Sequence, residues 1–317
     1  MGASSRLALV TGGAGFLGRH LVARLGADGW NVRVLDVIAF PDRDVETMLG
    51  DVADADVVGR ACRGADAVFH LAALLPQRRA PKEQMVHVNV DGGRTVLAAA
   101  KGAGVPAVVY MSSAEVYGLP KQTPCPEDAP KLPLGEYGRN KVVAEKHARE
   151  SAAGGLHVPI LRPPTIVGPG MPEPLLTKLM ADARRGRPLT VIGGGRNRFQ
   201  MVAASDVSAA CLRALDVPEA SGEAFNIGSD NVPTMREMAE RIVAQVGSRS
   251  RLVNVPAWLV VAVVKALGPF GKAPLEPEHL PIALNDYVFD ISKARRVLGW
   301  TPEKDNVQAL TEAYESS

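Results

Sequence analysis

Cysteine is scarce in this chain: Cys62, Cys125 and Cys211 are the only three among 317 residues. An odd number, scattered without metal-ligand spacing, argues against a disulfide framework or a metal centre and fits a reducing, cytoplasmic compartment. An excess of one charge sign is missing too. Lys and Arg number 36 against 34 Asp and Glu, a formal net charge of +2. No Lys- or Arg-rich run offers an electrostatic footprint for nucleic acid. The pairs Arg78-Arg79 and Arg184-Arg185 stand alone and read as solvated surface. No apolar run reaches the ~20 residues that a membrane span requires. The longest, "VPAWLVVAVVKAL" at 255–267, reads first as a buried helix. A lid over an apolar substrate and a membrane-surface helix are its alternatives. At the start, "LALV" is too short to be the apolar core of a signal peptide, and Arg6 stands where a myristoylation signal needs Ser or Thr. Neither nucleic acid nor membrane is expected as a partner, which leaves a small molecule.

What is present is an ordinary globular composition, 46% hydrophobic and 22% charged, enough for a sizeable core. No internal repeat or low-complexity tract interrupts it. In the first half, apolar runs at 7–10, 31–37, 67–72, 107–113 and 158–167 read as strands, and helical patterns fill the gaps between them. That alternation predicts an α/β fold: a doubly wound, Rossmann-type parallel sheet with crossover helices on both faces. The second half is less regular. Helices are expected over 170–189 and 234–247, the latter opened by Thr234 and Glu237 at capping-box spacing, with strands near 201 and over 224–230. These pieces look too short for an independent core, which predicts a smaller C-terminal α/β substrate portion whose segments return to the main sheet.

The first chemistry-bearing motif is "VTGGAGFLGRHL", Val10 to Leu21. Its glycines follow a strand and open a helix, the context a dinucleotide fingerprint needs. Gly12 would make the tight turn, Gly15 would let backbone approach a pyrophosphate, and Gly18 would let the helix pack closely. The phosphates would then sit on unpaired amides at the positive end of the helix dipole. The first step of the spacing is one residue longer than in G-x-G-x-x-G. Asp36, eighteen residues past Gly18, can accept hydrogen bonds from both ribose hydroxyls and would repel a 2′-phosphate, favouring NAD over NADP. Asp51 in "GDVAD" is placed either for the adenine edge or as a turn former.

The second motif is "YGRNK", with Tyr137 and Lys141 four residues apart on one helical face. The ammonium can lower the phenol's pKa and hold the nicotinamide ribose, so that Tyr137 moves a proton to or from a substrate oxygen. Ser113, at the end of the fourth predicted strand, lies where an open parallel sheet places its ligands and would hold that oxygen.

In this order and spacing, "TGGAGFLG", "HLAA", "MSSAEVYG" and "YGRNK" resemble the extended short-chain dehydrogenase/reductase superfamily, above all its NAD-dependent epimerase/dehydratase branch. The likeness continues through "LRPPTIVGPG", "FNIGS" and "SKARRVLGWTP". It implies an NAD-binding Rossmann domain over 1–167, with 201–228 returning to it, and a substrate portion mainly in 168–200 and 229–317. Ser113, Tyr137 and Lys141, with Glu115, fall on its catalytic positions. Its cofactor contacts fall on Gly12, Gly15, Phe16, Leu17, Gly18, Asp36, Asp51, Val52, Leu71, Ala72, Ala73, Asn89, Ser112, Tyr137, Lys141 and Pro163. Substrate contacts fall on Ser113, Glu115, Thr165 and Arg198; no metal is implied, and family habit suggests a homodimer through helices flanking the sheet. Asn89 could equally tie helix to sheet, and His70 reads as a packed or cofactor-side residue.

Departures from the pattern concern the substrate. In the sugar-nucleotide dehydratases and decarboxylases of this group, the glutamate at the Glu115 position takes part in acid–base chemistry. The 4,6-dehydratases precede it with an aspartate, where this chain has Ala114; Glu115 is therefore either a base or a wall residue. Nucleotide-sugar members commonly have asparagine at Thr165 and an arginine before a late Gly-Asp pair, and "LNDYVFD" has none. Arg198, beside Arg196, stands where another phosphate-binding arginine is expected. Two readings follow: C4 epimerisation of a nucleotide-activated sugar, or oxidoreduction of an apolar alcohol, as in hydroxysteroid dehydrogenases and dihydroflavonol reductases. A non-catalytic NAD sensor would predict a broken Tyr-Lys pair, which is intact here.

Overall fold

The computed structural model describes residues 6–76, 80–172, 174–267 and 279–315. The Arg78-Arg79 pair and most of the proline-rich stretch after Leu267 lie outside the described residues. The first half alternates strands β1 (Leu7–Thr11), β2 (Asn31–Asp36), β3 (Glu46–Leu49), β4 (Ala67–His70), β5 (Val108–Met111) and β6 (Ile160–Arg162) with helices. These are α1 (Phe16–Ala27), α2 (Ala55–Cys62), α3 (Lys82–Val86), α4 (Gly93–Gly102) and α5 (Glu136–Ala153), a π-helical stretch at His87–Gly92 joining α3 to α4. The second half adds β7 (Thr165–Val167), α6 (Pro174–Arg184), β8 (Leu189–Ile192), β9 (Met201–Ala203), α7 (Ala204–Leu215), β10 (Ala224–Asn226) and α8 (Met235–Gln245). It ends with β11 (Leu252–Val255), α9 (Ala257–Leu267), α10 (Leu280–Leu284), α11 (Ser292–Leu298) and α12 (Asn306–Glu315).

Seven strands form one sheet in the order β10-β6-β5-β4-β1-β2-β3, every neighbouring pair parallel. Parallel strands are joined by crossovers that must lie on the faces, so both faces are covered. Leu21, Leu25, Val207, Cys211, Ala294 and Leu298 from α1, α7 and α11 bury one. Val58, Ala61, Val96, Ala100, Ala144 and Ala148 from α2, α4 and α5 bury the other. The expected α/β, Rossmann-type architecture is the one observed.

Three local expectations need correction. The run 158–167 is two strands, because Pro163 and Pro164 have no amide hydrogen to continue a ladder. β6 stays in the large sheet, while β7 leaves it to pair with β9. The pieces of the second half also pool a core of their own, with Met180 of α6, Leu189 of β8, Met201 of β9, Met238 and Ile242 of α8, and Leu310 of α12. Short elements suffice there because several of them share one apolar centre. Finally, α9 is not a buried helix: of its residues only Val264 is buried, and Trp258 is 71% exposed. It follows β11, which among the described residues pairs with β8 in a two-stranded sheet apart from the central one. The capping box of α8 is present as expected, Thr234 Oγ1 accepting from the Glu237 amide and Glu237 accepting from the Thr234 amide.

Candidate active site

Strand order reverses beside β1, whose neighbours β2 and β4 are entered in opposite directions along the sheet, and such a switch point opens a crevice beyond the strands' carboxyl ends. The glycine loop follows the carboxyl end of β1 and leads into α1. Gly12 takes φ +71°, and a Cβ there would lie 2.7 Å from the Ala72 backbone, so the β1 and β4 loops touch only because it is glycine. A Cβ on Gly18 would meet the Gly12 carbonyl at 2.3 Å, which sets α1 hard against the loop. α1 begins at Phe16 and Leu17 after Gly15, whose cap position offers no side-chain hydrogen bond. The first-turn amides therefore remain open to an anion. Asp36 ends β2 with one carboxylate oxygen on the Ala14 amide at 3.0 Å and the other on Val37 at 2.7 Å, which holds it beside the loop.

These features fit a dinucleotide with free ribose hydroxyls. The Asp36→Ser variant should raise the affinity for NADP relative to NAD about tenfold or more, each ~1.4 kcal/mol of relieved repulsion being a factor of ten. Competitive displacement of bound NADH by the two cofactors measures the ratio, and an unchanged ratio would remove Asp36 from cofactor choice.

The remaining expected cofactor residues divide by what their side chains do. Asp51 accepts from the Ala53 amide and faces His87 Nε2 at 3.1 Å, so its turn-forming role is realised. Val52 is buried, packed on Gly92. Leu71, Ala72 and Ala73 are half-buried after β4, with the Leu71 amide on the Thr11 carbonyl. Asn89 accepts from the Leu74 amide at 2.7 Å and donates to its carbonyl at 3.0 Å, clamping the end of that loop to the helix. Pro163, buried after β6, accepts from the Ala114 amide and so lies against the turn that carries Ser113. His70 is packed inside, its Nδ1 2.8 Å from Thr11 Oγ1. Burial, assisted by the Lys141 charge, pushes it down to about 3, which makes it a neutral imidazole.

Ser113, Tyr137 and Lys141 converge beyond the end of β5. Ser113 caps the 3₁₀ turn Ala114–Tyr117, its Oγ accepting from the Glu115 amide at 3.2 Å. Tyr137 and Lys141 lie one turn apart on α5 and are both buried. Lys141 Nζ donates to the Met111 carbonyl at 2.8 Å and sits 5.6 Å from the centre of the Tyr137 ring. Burial pushes Lys141 down to about 8, against the pull of Glu145 and Glu115 that favours its charge. The Tyr137 phenol is not lowered as the sequence suggested. Burial, then the Glu115 charge, raises it above its usual 10, and the hydrogen bond with Ser113 only partly offsets them. The protein alone therefore holds Tyr137 protonated and Lys141 charged at neutral pH.

Beneath this set lies a charged network that sequence reasoning missed. Glu145, one turn beyond Lys141, is fully buried and takes a fork of two 2.7 Å hydrogen bonds from the equally buried Arg162. It also accepts from Ser112 Oγ at 2.7 Å and Lys131 Nζ at 2.6 Å, so the Ser112 hydroxyl is engaged within the network. Arg162 further donates to the Tyr117 hydroxyl, which donates to Asn226. Burial alone would raise the Glu145 carboxyl; hydrogen bonds and charge from Arg162 and Lys131 overcome it and hold the group down to about 2. One helix thus carries Tyr137, Lys141 and Glu145 at successive turns. The repeat was readable in "YGRNKVVAE"; the partner Arg162, seventeen residues further on, was not.

On the substrate side, Glu115 is partly exposed and faces His279 Nε2 at 3.7 Å. Tyr287 is buried against Phe199 and Phe289, and its hydroxyl has no hydrogen-bond partner among the described residues. Thr165 is half-buried on β7. Arg198 is not free for an anion: Asp286 takes its amide at 2.7 Å and its guanidinium at 2.7 and 3.0 Å. Among the described residues, no group of three or more His, Cys, Asp or Glu could hold a metal ion.

The sequence profile of the NAD dependent epimerase/dehydratase family matches residues 8–228. The chain is 30% identical to UDP-glucose 4-epimerase of Mycolicibacterium smegmatis, over 97% of each chain. It is 31% identical to the 3 beta-hydroxysteroid dehydrogenase/Delta 5-->4-isomerase of Mycobacterium tuberculosis, over 96% of this chain and 88% of that one. The solved structure of MoeE5 in complex with UDP-glucuronic acid and NAD superposes with a TM-score of 0.79 at 28% identity, over 98% of each chain. With the glycine loop, Asp36 and Ser113 each at the carboxyl end of a central strand, the chain belongs to the NAD-dependent epimerase/dehydratase family and is an NAD-using enzyme of the short-chain dehydrogenase/reductase type.

Proposed function

We propose that the chain interconverts a secondary alcohol and its ketone at Tyr137, and that its substrate is a nucleotide-activated sugar inverted at C4 through a 4-keto intermediate. The observation that carries the redox chemistry is the buried Tyr137–Lys141 pair beside Ser113 at the mouth of the sheet crevice. Ser113 Oγ would hold the reacting oxygen, and Tyr137 Oη, its own proton released to solvent under the added positive charge of bound NAD beside Lys141, would take the substrate's proton on oxidation and return it on reduction. Lys141 would keep its positive charge beside the phenol and hold the nicotinamide ribose. NAD, when bound, supplies the hydride acceptance and return. A closed cycle of this kind requires no other residue to change protonation. The sugar-nucleotide assignment draws on the relative named as a UDP-glucose 4-epimerase and on the exposed Arg196 in the β8–β9 loop.

The Arg198–Asp286 pairing favours a second reading, net oxidoreduction of an apolar alcohol, because an arginine already neutralised has little left for a diphosphate. Denaturing the freshly purified protein and assaying the supernatant for cofactor separates the two. Near-stoichiometric NAD, with interconversion of UDP-glucose and UDP-galactose in the absence of added cofactor, is the outcome expected for C4 epimerisation. An empty protein that forms NADH from NAD and an apolar secondary alcohol would overturn it.

A further inference from the structure

The exposed helix α9 has the composition of a membrane-seeking surface. Trp258, Leu259, Ala262, Val263, Ala266 and Leu267 recur at helical spacing on its solvent side, all of them exposed. Soluble proteins seldom leave a contiguous apolar face of this kind uncovered. Along this part of the chain the charge is of one sign. Between Glu240 and Glu276 the chain has five basic residues, Arg241, Arg249, Arg251, Lys265 and Lys272, and no acidic one. With 36 basic and 34 acidic residues in all, the remainder of the chain carries a net charge of −3. Arg241 pairs with Asp305, whereas Arg249, Arg251 and Lys265 are exposed.

We propose that α9 docks this protein onto an anionic lipid surface, lying in the interface plane with Trp258, Leu259, Val263 and Leu267 in the acyl boundary and the flanking basic residues on the headgroups. An apolar face flanked by Lys and Arg, with a tryptophan at its edge, is the pattern of helices that lie in that interface. At eleven residues, α9 is about 16 Å long, half of what a span needs, so it can lie on a bilayer but not cross it. A second copy of the chain is a poorer occupant. A two-fold contact through α9 would set one basic flank against another, with no carboxylate anywhere in 241–275 to meet it. The strand leading into the helix is tied to the turn after β8, where the Gly193 amide donates to the Val255 carbonyl at 2.9 Å. Docking would therefore bring the turn leading to Arg196 and Arg198 close to the membrane, whichever substrate the site takes.

The chain carries its own probe. Of its three tryptophans, Trp30 and Trp300 are buried, so acrylamide quenching reports on Trp258. Full-length protein would be mixed with vesicles of phosphatidylcholine containing phosphatidylglycerol, and with vesicles of phosphatidylcholine alone, then sedimented. The expected result is co-sedimentation with the anionic vesicles only, weakened by salt, with Trp258 emission shifted to the blue and shielded from acrylamide. Changing Arg249, Arg251 or Lys265 to alanine should each weaken binding about fivefold. The double variant Trp258→Ser/Leu259→Ser should lose at least tenfold with its Tm unchanged, since both side chains are exposed in the free protein. Failure of the wild type to sediment with anionic vesicles, or equal binding by the double variant, would overturn the proposal. Shielding of Trp258 that grows with protein concentration in the absence of lipid would do so as well, by showing a second copy on this face.

Discussion

The Tyr137→Phe variant is expected to lose about 10²- to 10⁴-fold in turnover while keeping its Tm and its affinity for NADH. The ring stays, so the packing of α5 against the sheet is undisturbed; only the hydroxyl is removed. Neither Ser113 nor Lys141 can replace it. Ser113 Oγ accepts from the Glu115 amide, and Lys141 donates to the Met111 carbonyl while holding its proton below about pH 8. The Lys141→Met variant should behave differently, losing NADH affinity together with turnover. The pH dependence follows from the same geometry. Lys141 is charged below about 8 and neutral above it, so wild-type NADH affinity should weaken as pH rises through 8, and the Lys141→Met profile should be flat across that range. Fluorescence titration of NADH reads both. Turnover near wild type in Tyr137→Phe would remove the phenol from the chemistry.

Replacing Glu145 by leucine is expected to destabilise the fold by about 3–5 kcal/mol, the cost of leaving a buried charge without its partner. Arg162 is only 1% exposed, and without Glu145 its remaining partners are the Tyr117 hydroxyl and the Glu127 carbonyl. The double variant Glu145→Leu/Arg162→Met should recover most of the loss, because no uncompensated charge is then trapped; Lys131 and Arg149 are open enough to turn toward water. Urea unfolding of the wild type, both single variants and the double variant closes the cycle. Strict additivity of the two single effects would show that the pair is not coupled. The same carboxyl predicts acid behaviour. It is held below its ordinary 4.5 at about 2, so its contribution is complete above 4.5 and is lost as pH falls through that window.

Part of the site was legible because its parts are local. The glycine loop is a run of neighbours whose spacing alone specifies a tight turn, and Tyr137 and Lys141 share a face through the helical repeat. The capping box of α8 was readable for the same reason. What escaped was set by contacts distant in sequence. That Ser112 turns inward to Glu145 depends on α5 crossing β5, and that Arg198 is clasped by Asp286 depends on segments 88 residues apart meeting. The phenol of Tyr137 was misjudged on similar grounds. Its partners were identified, but its burial, which outweighs them, is a property of the packed protein.

By itself, the sequence determined the alternation of strands and helices, hence the parallel sheet, and the order in which the glycine loop, Asp36, Ser113, Tyr137 and Lys141 arrive at its carboxyl edge. Periodicity and short-range spacing carry that information in full. Only the tertiary structure decided that the apolar run at 257–267 faces solvent rather than a core, that proline breaks one expected strand into two, and that a buried Glu145–Arg162 pair underlies the Tyr137–Lys141 face. The physical reason is common to all three. Hydrophobicity says that a surface is to be covered but not by what, and charge says that a partner is required but not which; packing across long loops makes both choices.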